Sequence, residues 1–172
     1  MSHDTPEPDD FEAKEVFAFF GLAAYKAQVL EQQLVSLGVM LHISGRTGVT
    51  REFIDELLAK FESHTLGRLL SEARKLTSFP ASVDAVLQEA LARRNFVVHR
   101  CFAHHDANFM LEPGRRVMIR ELREAVGLFQ NAREQLSGIL MPLAERLGVT
   151  REAIAAIKQE EIDKAAQTLN GA

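Results

Sequence analysis

The 172-residue chain has a single cysteine, Cys101, so it forms no intramolecular disulfide and is expected in the reducing cytoplasm. It also lacks any run of about 18 uncharged apolar residues, which excludes a membrane-spanning helix. The N-terminal MSHDTPEPDDFEAK has no basic segment leading into an apolar one, the pattern of a secretory signal. Basic excess is missing too. A net charge of −4 argues against a protein that coats nucleic acid indiscriminately. Finally, no segment shows convincing apolar–polar alternation, so no strand is expected.

What remains is the composition of a globular protein, with 47% apolar and 26% charged residues and enough length for one cored domain. Charge is unevenly placed. Residues 1–12 carry Asp4, Glu7, Asp9, Asp10 and Glu12 and no lysine or arginine. Residues 1–9 read as a disordered acidic tail. Between residues 93 and 123, by contrast, Arg93, Arg94, Arg100, Arg115, Arg116, Arg120 and Arg123 outnumber Asp106, Glu112 and Glu121. A small anion or a phosphate is a fitting target there, and a solvated helix face explains the charge equally well.

Apolar residues recur at three- and four-residue spacing throughout, which predicts an all-α protein, an up-and-down bundle of five to six helices over residues 10–147. A first helix is expected from 10 to 44 with Asp10 as N-cap, and others from Thr50 to Ser63 and from Thr65 to Leu76. A fourth follows, capped by Ser82 and reaching His105, with His104 and His105 as its fraying basic end. After a loop, DANFMLEPG, a long helix spans Arg115 to Leu147, with Pro142 as the place for a bend. A last helix, capped by Thr150 and lying within residues 148–172, packs on or extends the bundle. GVTRE occurs at 48–52 and again at 148–152. In each copy glycine breaks one helix and threonine caps the next, so it is repeated turn chemistry.

The helix over 82–105 carries the chemistry. On a helical wheel Val83, Val86, Leu87, Ala90, Leu91, Val97, Val98 and Cys101 share one apolar sector, with Arg94 near its centre. A guanidinium there needs a carboxylate or phosphate, since an unpaired buried charge costs several kcal/mol. Glu31 of the first helix is the natural structural partner. Ala92, Phe96, His99 and Ala103 follow at steps of four, three and four on another side, the spacing of a helix–helix seam. Either the next long helix fills that seam or a second copy does, in which case two His99 side chains meet across a two-fold axis. Asn95 lies one turn before His99 and can orient its ring. Arg93, Arg100 and His104 are candidate phosphate contacts on the same segment. His99, Cys101, His104 and His105 do not have zinc-ligand spacing, so no metal or other cofactor is expected. EPGRR at 112–116 lacks the P-loop pattern.

RNFVVHR, residues 94–100 with Arg93 before it, resembles the signature of the HEPN superfamily, the higher eukaryotes and prokaryotes nucleotide-binding domains. In these helical bundles an arginine, usually followed by a polar residue, precedes a histidine by four to six residues. TLGRLL at 65–70 and a long first helix with Gln28, Glu31 and Gln32 are similar to features of the same family. The resemblance implies a HEPN-like bundle and a metal-independent endoribonuclease that works as a homodimer on RNA. His99 would move the proton of a ribose 2′-hydroxyl or of the leaving oxygen, Arg94 would hold the phosphate, and Asn95 would orient one of them. On an ideal helix Arg94 and His99 lie about 140° apart, so Arg94 must curl round the helix or serve the partner's histidine. Toxin members of the family are usually paired with an antitoxin or a nucleotidyltransferase. Other members are non-catalytic and dimerise, bind nucleotides or bind partner proteins.

Overall fold

In the computed structural model, which describes residues 11–170, helix α1 (Ala13–Ile43) is the spine of an all-α bundle. Its three- and four-residue spacing buries Val16, Phe19, Ala23, Ala27, Leu30, Leu34 and Leu37 along one stripe. The order continues with α2 (Arg51–Glu62), α3 (Leu66–Leu76), α4 (Ala81–His99), α5 (Cys101–His104), α6 (Asp106–Phe109), α7 (Glu112–Arg146) and α8 (Arg151–Asn170). No strand occurs among the described residues, and none of their helices is long and apolar enough to cross a membrane. The expected acidic tail and the Asp10 cap lie outside the described residues.

α7 is the main partner of α1, and α4 packs on both. The pairs that join them fix their directions. Phe11 meets Arg115 and Gln33 meets Ser137, so α1 and α7 run parallel. Glu31 meets Arg94 while Phe20 meets Phe102, so α4 runs against both. This up–down–up arrangement surrounds a core of leucines with Phe61, Met118 and Phe129. The described side chains of α8, including Ile162 and Leu169, are exposed.

Short-range chemistry sets most of the helix ends. Thr50 and Thr65 accept hydrogen bonds from the backbone N–H of Phe53 and Arg68, capping α2 and α3. Gly48 and Gly148, the first residues of the two GVTRE copies, both adopt positive φ, which turns the chain out of the preceding segment. Pro142 sits inside α7 without ending it.

The middle of the chain departs from expectation. Eight helices are present among the described residues, six of them long and two of a single turn. The difference arises at Arg100, whose backbone (φ −132°, ψ −16°) leaves the helical region and ends α4 at His99. The segment expected as a loop is partly helical, as α6, and α7 begins at Glu112, not Arg115. Pro113 explains the early start, because its fixed φ and missing N–H suit a first helical turn. α4 likewise begins one residue before Ser82, with Pro80 at the cap position. Val98, placed in the apolar sector by phase, is 43% exposed, since it falls at the sector's edge.

Gly114 makes the tight α6–α7 corner feasible. A Cβ built there would lie 2.2 Å from the Asn108 carbonyl oxygen and 2.5 Å from its Cα, inside backbone that cannot step aside. Gly114→Ala is therefore expected to destabilise the protein by about 3 kcal/mol, at the upper end of overpacking costs. Thermal unfolding should show a fall of roughly 6–12 °C. An unchanged melting temperature would mean that the corner is not closed in this way.

Candidate functional site

α4 ends in the side chains that define the site. Arg94 leaves the core side of the helix half-buried, and its Nε donates to Glu31 Oε1 of α1 at 2.8 Å. This is the pairing that a guanidinium at that phase requires. The rest of the group reaches round the helix. Nη1 lies 3.4 Å from Asn95 Oδ1 and 3.3 Å from His99 Nε2. The 140° separation on the wheel is thus bridged within one chain by the length of the arginine side chain.

Donor rules fix the protonation pattern. A guanidinium only donates, so His99 Nε2 accepts and the ring proton sits on Nδ1. Nε2 is then a lone pair beside a cation on an exposed residue. Arg94 Nη2 makes no hydrogen bond to any described side chain and remains available to an added oxyanion. Glu31 anchors Nε, and Nη1 faces Asn95 and His99 at the helix end. Such a fork can hold a phosphate while touching the imidazole.

The other sequence-derived residues divide by position. Arg100, at the break, is exposed. Ala92 and Ala103 are exposed as well; Ala92 borders the α4–α7 groove and Ala103 follows the break at Arg100, so the expected seam with His99 is not continuous. Phe96 is half-buried with its ring edge against His104, 5.5 Å between centroids. Arg93, Phe96 and His104 line an open groove of about 500 Å³ between α4 and α7, together with Glu89, Glu121 and Glu124. The structure therefore brings Arg94, Asn95 and His99 together and sets Arg93 and His104 in a separate, largely acidic groove.

His105 is a correction to the expected fraying helix end. It is 2% exposed, the one buried polar side chain among the described residues. Its Nδ1 accepts from Asn108 Nδ2 at 2.9 Å, and its Nε2–H then donates to Glu121 Oε2 at 3.0 Å. The break at Arg100 seats it between α4 and α7, out of the motif. Helical periodicity held no signal for this, because the phase changes at the break. His105→Leu would leave the Asn108 and Glu121 groups without their partner and is expected to cost about 2–3 kcal/mol. Urea unfolding measures it, and a change below about 0.5 kcal/mol would mean that the network contributes nothing.

Cys101 is buried in the core, where burial, aided by the nearby Glu121 charge, pushes its thiol pKa up and keeps it protonated. It is unsuited to nucleophilic work. Among the described residues no three His, Cys, Asp or Glu side chains gather closely enough to hold a metal ion.

Phe17, Phe19 and Phe20 are parted by helical phase. Phe19 is buried, whereas Phe17 is 54% exposed and packs on Phe102 and Phe109, and Phe20 also meets Phe102. This aromatic cluster ties α5 and α6 to α1 beside the helix break that ends the motif. Comparison of the chain with family models, curated proteins and solved structures returns no match.

Proposed function

We propose that the protein is a HEPN-like, metal-independent endoribonuclease, with Arg94, Asn95 and His99 as its catalytic residues. The observation that carries this reading is the contact of one guanidinium nitrogen with both Asn95 Oδ1 and His99 Nε2 on an exposed helix end.

In the reaction, His99 Nε2 takes the proton of a ribose 2′-hydroxyl as that oxygen attacks the adjacent phosphorus. The P–O5′ bond breaks and the leaving oxygen takes a proton from water, leaving a 2′,3′-cyclic phosphate and a free 5′-hydroxyl. Arg94 Nη2 donates to a non-bridging oxygen, where negative charge grows in the transition state. Asn95 holds the guanidinium in register. The Arg94 Nη1–His99 Nε2 contact, long at 3.3 Å, opens as the 2′-hydroxyl takes its place on the Nε2 lone pair. A homodimer through the exposed end of α4 at His99 would place two such sites at one interface. Phe96 contributes less to that contact than its spacing implied, because its ring is turned toward His104. Arg100, adjacent and exposed, suits a flanking phosphate. Arg93 and His104 lie off this path. An antitoxin or nucleotidyltransferase partner belongs to the same proposal.

The test is incubation of purified protein with end-labelled RNA in EDTA, beside an all-deoxy copy of the same sequence. Cleavage of the RNA alone, ending in cyclic phosphate, is expected. Equal product from wild type and from His99→Ala and Arg94→Ala variants would sink the nuclease reading.

A second reading draws on the Arg94–Glu31 pair itself. Such a pair also serves as a structural tie between α1 and α4, and a non-catalytic HEPN-like module for dimerisation, nucleotide or partner binding would keep it for that purpose.

A further inference from the structure

Beside the motif lies an open groove of about 460 Å³ on the outer face of α1, formed by Tyr25, Gln28, Val29, Glu31 and Gln32. It is joined to the site through one residue. Glu31 lines the groove and holds Arg94, which in turn touches His99.

The chemistry of that face is specific. Tyr25 is the only tyrosine of the chain and 58% exposed, so its ring is open to a ligand from solvent. The Lys26 ammonium lies 5.8 Å from its centroid and adds positive charge at the rim. Gln28 and Gln32 follow Tyr25 at helical spacing, and neither amide is engaged by another described residue. Each amide offers a donor and an acceptor. A flat ring next to two unpaired amides, linked through Glu31 to an oxyanion fork, matches an unstacked nucleobase.

We infer that Tyr25, Gln28 and Gln32 form a nucleobase subsite, in which Tyr25 stacks on a base of single-stranded RNA while the two amides meet its hydrogen-bonding edge. The inference rests on the reading of Arg94 as the phosphate contact, and it gives the enzyme a sequence preference at the nucleotide flanking the scissile bond. The acidic Glu31 does not oppose it, since its charge is answered by Arg94.

The chain has no tryptophan, so its intrinsic emission reports Tyr25 alone. The full-length protein is titrated with 2′-deoxy dinucleoside monophosphates of the four bases, which bind but lack the reactive hydroxyl, with absorbance corrected against free tyrosine amide. Saturable quenching is expected, stronger for one base than for the others. Calorimetry should then give about tenfold weaker binding for Tyr25→Ala, in line with a lost stack, and near wild-type binding for Tyr25→Phe. Gln28→Ala with Gln32→Ala should level the preference among bases. Equal affinity for Tyr25→Ala, or for an abasic sugar phosphate, overturns the subsite. A tyrosine signal that follows protein concentration and ignores nucleotide marks the face as a contact between copies and overturns it too. Quenching that persists where RNA is not cleaved leaves the subsite standing and defeats only the nuclease reading.

Discussion

An alanine at position 99 is expected to slow RNA cleavage by about 10²–10⁴-fold, the usual contribution of a positioned acid–base group. The size follows from the site's composition. Among Arg94, Asn95 and His99, only the imidazole carries a basic nitrogen lone pair that can accept a proton, because a guanidinium only donates and an amide nitrogen is not basic. Removing it leaves Arg94 to bind phosphate without any group to accept the 2′-hydroxyl proton. Substrate affinity should therefore change little while the single-turnover rate collapses. The fold should be indifferent, since His99 is exposed and its one side-chain hydrogen bond among the described residues is with Arg94 Nη1. A shift within about 0.5 kcal/mol in unfolding free energy is expected. Single-turnover assays with saturating RNA, run beside thermal melts, separate the two effects. A variant that cleaves at half the wild-type rate would remove His99 from the mechanism, whatever its place in the motif.

The architecture was open to the sequence because it rests on local rules. Three- and four-residue spacing revealed α1 and α7, and threonines after short breaks marked where α2 and α3 begin. The pairing of Arg94 with Glu31 could also be reached from phase, because a cation in an apolar sector demands an anion and α1 offers one at the right height. What escaped was everything that depends on the break at Arg100. A wheel drawn through residues 82–105 assumes constant phase. The chain drops that phase at Arg100, which gives His105 a buried network and turns Phe96 toward His104. No glycine or proline announces the break, so nothing in the local sequence predicts it. The contact between Arg94 and His99 was one of the two outcomes that their 140° separation left open. Wheel angles place Cα atoms, while the arginine side chain is long enough to span the difference.

Arg94 and Glu31 allow structure and chemistry to be weighed separately. Arg94→Ala should lower cleavage by about 10²–10³-fold, the range seen when one transition-state donor is lost. It should also destabilise the fold by about 1–3 kcal/mol, because Glu31 is only about one-fifth exposed and loses its counter-charge. Taken alone, those results suit a structural tie as well as a catalytic group. The double variant Glu31→Leu with Arg94→Leu decides between them. An apolar pair of similar volume needs no counter-ion, so stability should return to within about 1 kcal/mol of wild type. Cleavage should stay at the level of Arg94→Ala, since no donor has been restored. Glu31→Gln sharpens the contrast: it keeps an oxygen for Arg94 Nε but removes the charge, and some activity should survive. If the leucine pair recovered both stability and cleavage, Arg94 would be a strut between α1 and α4. The catalytic reading would then have to stand on His99 and Asn95 alone. If only stability returns, the guanidinium acts on the substrate, and Glu31 is the residue that aims it.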